Sequence, residues 1–268
     1  MRLIIHENYE ALSKWVAYLI ARRIRDFRPT PDKPFVLGLP TGSSPIGTYQ
    51  NLVELHKADK VSFANVVTFN MDEYIGLPKD QATSHWHFMW HHLFSHVDIP
   101  PENVNLLNGM ARDLEAECAA YEERIASCGG IRFFLGGIGE DGHIAFNEPG
   151  SSLRSRTRTK TLTYETKVTA ARYFGGDPDK VPSTALTVGV GTIMDAGELC
   201  IIVSGYRKAR ALEAAVQEGV NHMWTVSILQ LHPHAMIVCD EAATMELKVS
   251  TVKYFKDIEK DSLALPEV

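Results

Sequence analysis

Ile131-Arg-Phe-Phe-Leu135 runs without a break into Gly136-Gly-Ile-Gly-Glu-Asp-Gly-His-Ile-Ala-Phe-Asn-Glu-Pro-Gly150. The first five residues are short and apolar and stop at glycines, the pattern of a strand buried in a parallel sheet. Loops that follow such strands are where open α/β sheets hold their ligands. Glycines let backbone approach a ligand closely, at a conformational cost that a purely structural loop has little reason to carry. Asp141, His143 and Glu148 fall together in this loop. A carboxylate beside an imidazole fixes the ring's tautomer and raises its basicity, which suits proton transfer near neutral pH. The competing reading is a polar turn that caps the next helix.

Outward from this stretch, strand and helix signals alternate along the chain. Arg2 to His6 reads as a strand, and Leu12, Trp15, Val16, Leu19 and Ile20 recur at helical spacing. Pro34 to Leu39 is a second strand, followed by a Gly/Ser turn and a helix opening at Pro45. Val66 to Asn70 is a third strand, which leads into Asp72 and Glu73. One helix carries Trp86, Met89, Trp90 and Leu93 on its buried side, and another runs from Asp113 to Ala126. Leu199 to Val203 and His234 to Cys239 are later strands, with an Ala-rich helix after Ser204-Gly205. Such alternation implies βαβ units, hence an open, mostly parallel, Rossmann-like α/β sheet with helices on both faces. No repeat or linker divides it. The expected organisation is a single domain over residues 1–260, with the aperiodic tail 261–268 mobile.

The chain has 268 residues, 45% of them apolar, enough for a full core without staples. Cys118, Cys128, Cys200 and Cys239 form no C-x-x-C pair, which points to a reducing compartment and away from a structural zinc site. The start Met-Arg-Leu-Ile-Ile-His lacks signal-peptide architecture, and no apolar run is long enough to span a bilayer. A soluble cytoplasmic protein is expected, with no membrane partner. A net charge of −6 disfavours broad nucleic-acid binding but leaves room for a small anion at a local cationic cluster.

Four further groups carry possible chemistry. Pro40-Thr-Gly-Ser-Ser-Pro45, with Thr41, Gly42, Ser43 and Ser44, resembles a phosphate cradle at a helix start, or else is a capping turn. Asp72 and Glu73 end a strand on the same sheet edge. A carboxylate there suits abstraction of a proton from carbon beside a carbonyl, or else caps a helix. Lys208 and Arg172 are candidate anion contacts, or else surface cations. Arg154, Arg156, Arg158 and Lys160 alternate, so an extended chain would present one positive face: a second anion site or a solvated edge strand. His87 with His91, and His92 with His96, have helical i,i+4 spacing, but no carboxylate completes a metal signature. They are expected on the polar side of their helix, and no metal site is expected.

Pro40-Thr-Gly-Ser-Ser-Pro, Asn70-Met-Asp-Glu-Tyr, the Gly136–Pro149 run, Ala185-Leu-Thr-Val-Gly-Val-Gly-Thr and Asn221-His-Met-Trp-Thr together resemble the glucosamine-6-phosphate deaminase family, from the first strand to about Phe255. The resemblance implies conversion of glucosamine 6-phosphate and water to fructose 6-phosphate and ammonia, with no metal or organic cofactor. It implies Asp72 as the enolisation base and His143 as the proton acceptor for ring opening, with Asp141 and Glu148 as its partners. Thr41 to Ser44, Arg172 and Lys208 correspond to the phosphate set. It further implies a homohexamer activated by N-acetylglucosamine 6-phosphate at Ser151, Arg158, Lys160, Thr161 and Tyr254. The 6-phosphogluconolactonases share the G-x-G-x-D-G-H loop but need no C2 base, and the Phe146-Asn-Glu-Pro149 continuation favours the deaminases. Sugar-responsive transcription regulators of related fold place a DNA-binding segment before the sugar domain; here the first strand starts at Arg2.

Overall fold

A computed structural model describes residues 1–268. The chain runs through β1 (Arg2–His6), α1 (Tyr9–Phe27), β2 (Phe35–Leu39), α2 (Ile46–Lys57), β3 (Val66–Asn70), β4 (Asp72–Tyr74), α3 (His85–His92) and β5 (Val104–Asn105). It continues through α4 (Leu114–Ser127), β6 (Phe133–Gly137), β7 (Arg158–Thr161), α5 (Tyr164–Ala170) and β8 (Thr184–Thr187). The last elements are α6 (Val190–Met194), β9 (Leu199–Val203), α7 (Ala209–Gln217), β10 (Ala235–Asp240) and α8 (Val249–Ile258).

Seven strands form one parallel sheet in the order β1-β10-β9-β6-β2-β3-β5. Its strands read as continuous apolar runs because both faces are covered. Leu3, Ile5, Val36, Phe134, Ile201 and Ile237 point into one core, shared with Tyr121 of α4 and Leu212 of α7. Ile4, Phe35, Leu37, Leu135, Ile202 and Val238 point into the other, shared with Trp15 and Ile20 of α1, Leu52 of α2 and Met89 of α3. This two-sided burial is the expected α/β architecture in a single domain.

The details depart from expectation in places. β6 lies two residues later than Ile131–Leu135, so two glycines of the loop belong to the strand. At Gly38 a Cβ would sit 2.4 Å from the Phe134 ring, so that glycine makes room for its neighbour strand. Pro45 stands just before α2 rather than opening it. Unforeseen is a second, antiparallel sheet in the order β4-β8-β7, with Tyr74, Phe146, Leu162, Phe174 and Ala185 packed together beside it. Its strands have three or four residues each, too short for a clear period-2 signal. The tail, for which aperiodicity suggested mobility, makes defined contacts: Trp15 Nε1 donates to the carbonyls of Ser262 (2.8 Å) and Ala264 (3.1 Å), and Arg25 to that of Glu267 (2.9 Å). No helix is long and apolar enough to cross a membrane.

Candidate active site

Because β2, β3, β6 and β9 are parallel neighbours, the chain leaves all four at one edge, and the four loops there meet. The turn after β2 holds Thr41, Gly42, Ser43 and Ser44. Gly42 has φ +90°, a conformation that side chains resist. Tyr9 of α1 pins this turn: its hydroxyl lies 3.1 and 3.0 Å from the Ser43 and Ser44 carbonyls and accepts the Gly47 N–H at 2.9 Å. Two cations arrive from distant sequence. Arg172 donates to Ser43 Oγ (3.1 Å), and Lys208 donates to Ser44 Oγ (3.2 Å) and the Ile138 carbonyl (2.6 Å). Burial pushes the Lys208 amine down to about 8, and the Arg172 charge adds to that. A turn of free N–H groups and hydroxyls with two cations suits an anion.

The loop after β6 gathers Asp141, His143 and Glu148. His143 Nδ1 lies 2.7 Å from Asp141 Oδ1 and 3.5 Å from Glu148 Oε2, though its N–H points squarely at neither. Asp141 Oδ1 also accepts the His143 backbone N–H (3.2 Å), and Glu148 accepts the Thr163 N–H (3.3 Å). Burial alone would lower the imidazole's pKa, but the two carboxylates outweigh it and hold it up at about 9. Asp141, by contrast, is lowered: burial pushes its carboxyl up, and His143 more than offsets that. Gly139 is obligatory here, since a Cβ would stand 2.5 Å from both Asp141 Oδ1 and His143 Cε1. Distant residues hold the rest of the loop: Thr225 Oγ1 accepts the Ile144 N–H (3.2 Å) and Thr187 Oγ1 that of Phe146 (3.0 Å). These threonines come from the 221–225 and 185–192 motifs, whose part in the site is therefore structural support. Asp141, His143 and Glu148 each bring one ligand atom within 4.8 Å of the others.

Asp72 and Glu73 divide their work. Glu73 accepts the N–H groups of His85 and Trp86 (both 3.0 Å) and so caps α3. Asp72 is left for another use. It pairs with Thr187 across the second sheet, just beyond Asn70, whose carbonyl the buried Tyr121 hydroxyl holds at 2.7 Å. Its carboxylate is buried and meets one side chain, His85, with Oδ1 2.8 Å from Nδ1. Among the histidines of α3, His85, which the sequence did not single out, faces inward between the rings of Tyr74 (centroids 4.9 Å apart) and Phe146 (6.0 Å). The apolar side of α3 is also narrower than expected: Met89 and Leu93 are buried, whereas Trp86 and Trp90 are half-buried and pack on each other. His87 and His91 stack, and His91, His92 and His96 line an open groove with Asn51, Glu54 and Lys57, where no three ligand atoms converge.

The second anion set is assembled only in part. Arg158 and Lys160 share one face of β7, and Arg158 donates to Asn147 Oδ1 (2.9 Å). Burial and the Arg158 charge lower the Lys160 pKa. Ser151 Oγ is buried nearby in the chain without a partner. Thr161 points to the opposite, exposed face of β7. Tyr254 lies exposed on α8, which packs on β1 at the other edge of the main sheet. The four-cation stripe also shrinks to two, because the strand begins at Arg158; Arg156 pairs instead with Asp195 (2.6 Å) and Glu122 (3.5 Å).

A Rossmann-like sheet thus carries a cationic turn and two carboxylate–imidazole pairs on one edge. The chain belongs to the family described as glucosamine-6-phosphate isomerases/6-phosphogluconolactonase, whose model matches residues 7–245. It is 64% identical over 263 residues to a glucosamine-6-phosphate deaminase of Parabacteroides distasonis, covering 98% of this chain and 97% of that one. It is also 64% identical to that of Borrelia hermsii, over 98% of each. Among solved structures it resembles a monomeric glucosamine-6-phosphate deaminase with a TM-score of 0.86 and 39% identity, over 91% of this chain and 98% of that one. A 6-phosphogluconolactonase of Trypanosoma cruzi matches at a TM-score of 0.69 and 19% identity, over 92% and 97%, and shares the fold alone.

Proposed function

We propose that the protein is a glucosamine-6-phosphate deaminase acting on α-D-glucosamine 6-phosphate in amino-sugar catabolism. One observation carries the reading. A second buried carboxylate, Asp72, stands apart from the Asp141–His143–Glu148 cluster, whereas lactone hydrolysis needs no base at C2. Identity of 64% along nearly the whole chain to proteins of that name supports it.

In this reading the substrate phosphate sits in the Thr41–Ser44 turn under Arg172 and Lys208. His143, charged and held by Asp141 and Glu148, gives its proton to the ring oxygen and takes one back from O1, opening the ring to an aldehyde. The C2 proton is then acidic, and Asp72 moves it to C1. The enolamine becomes a C2 imine, water adds to it, and ammonia leaves with D-fructose 6-phosphate. The carbonyl is the electron sink, so the sequence needs no cofactor. The direct test is release of ammonia from glucosamine 6-phosphate. Hydrolysis of 6-phosphogluconolactone without ammonia release would overturn the assignment.

We also infer activation by N-acetylglucosamine 6-phosphate at Ser151, Arg158, Lys160 and Thr161 in a cytoplasmic homohexamer. Tyr254, at the opposite edge of the protomer, joins that set only from a neighbouring subunit. Sedimentation with and without the effector tests the assembly, and a protein that stays monomeric would exclude this form of control.

A further inference from the structure

We propose that His85 is a positioning residue for enolisation, holding Asp72 in place and supplying the counter-charge for a buried carboxylate. This rests on the reading of Asp72 as the base. One ring nitrogen, Nδ1, touches both ends of that residue: it lies 2.9 Å from the Asp72 carbonyl and 2.8 Å from Oδ1. No other side chain hydrogen-bonds or ion-pairs with this carboxylate, which is 7% exposed. A carboxylate out of water with no partner is costly, and a single fixed cation is the least disruptive way to keep it charged. Burial pushes the His85 imidazole down, but Asp72 more than offsets this and raises it to about 9, so the ring is a cation at neutral pH.

Packing alone does not call for a histidine here. Capping of α3 is already done by Glu73 and by Ser84, whose Oγ accepts the His87 N–H at 3.0 Å. The pocket around the ring is aromatic, made by Tyr74 and Phe146, and would accept an apolar ring. Phe146 belongs to the loop that carries His143 and Glu148. The His85 ring is thus in contact with both halves of the site, with its nitrogen on the carboxylate and its face on the other loop. A base that must meet one C–H bond depends on placement at this scale.

The test compares His85→Gln with His85→Asn. The Asn amide nitrogen occupies roughly the Nδ1 position and can still donate to Asp72, whereas the Gln amide reaches past it. Both are polar and uncharged, and thermal unfolding checks that both fold. Exchange of the C2 hydrogen with solvent reads enolisation. H85Q should lower kcat for exchange about tenfold to a hundredfold, less than the ~10²–10⁴ for losing a general base, with KM nearly unchanged. H85N should recover part of the loss. Wild-type exchange in H85Q, equal losses in the two variants, or a rise in KM with kcat intact would overturn the proposal. Asp72→Asn run beside them separates the two ideas. Near-normal exchange in D72N removes the base itself and the proposal with it. Abolished exchange in D72N with wild-type behaviour in H85Q removes only the role of His85.

Discussion

Two carboxylate–imidazole sites stand on the same sheet edge, and they are built in opposite ways. Asp141, His143 and Glu148 come from eight consecutive residues of one glycine-rich loop, with Asp141 28% exposed at its mouth, His143 18% and Glu148 2% at its base. Asp72 and His85 come from separate elements, with side chains 9% and 11% exposed and aromatic rings around the histidine. The open site suits proton exchange between sugar oxygens, which water can assist. The closed site suits removal of a proton from carbon, a step that needs a base fixed in one place. In the proposed reaction, the division of labour between like groups follows from their surroundings, not from their residue types.

The sharpest break of this comparison is Asp72→Asn. The amide cannot accept a proton, so deamination and C2-hydrogen exchange should fall together by about 10²–10⁴, with substrate binding retained in equilibrium titration. His143→Gln should come next, slowing the cyclic substrate by up to about 10² and an open-chain analogue far less. Equal losses on both substrates would erase the distinction between the sites. Gly139→Ala should damage only the open site, because its methyl would overlap Asp141 and His143; overpacking of this kind costs about 1–3 kcal/mol. Ring opening should suffer more than exchange from an open-chain substrate.

A smaller effect concerns pH. Lys208 is charged below about 8 and neutral above it. Rising pH therefore removes a cation from the anion turn, and kcat/KM should fall through that range while kcat holds longer. Lys208→Arg stays charged and should move the fall to higher pH in a kcat/KM profile. Least of all for the basal rate is Arg158→Ala, which should weaken the response to N-acetylglucosamine 6-phosphate while leaving the maximal rate nearly unchanged. Saturation curves with and without effector measure it, and an undiminished response would make β7 a plain edge strand.

Strands β1, β3 and β9 were legible to the residue because parallel strands buried on both faces are short, largely apolar runs. The loop cluster was legible because its members are local, and glycines announce a backbone that must bend. The second sheet was not, since strands of three or four residues carry no period of their own. His85 escaped for a related reason. It sits among other histidines on a short helix whose apolar signal comes from tryptophans that are only half-buried, and its partner lies 13 residues earlier across a turn.

The sequence by itself determined the parallel sheet, the edge on which the loops gather, and the proximity of Asp141, His143 and Glu148, because periodicity and short loops constrain the backbone locally. Tertiary structure alone decided which of two adjacent acids would cap a helix and which would meet an imidazole. It also brought Arg172 and Lys208 onto the Ser43–Ser44 turn. Those pairings depend on where separate elements come to rest, which is set by packing of the whole core and not by spacing along the chain.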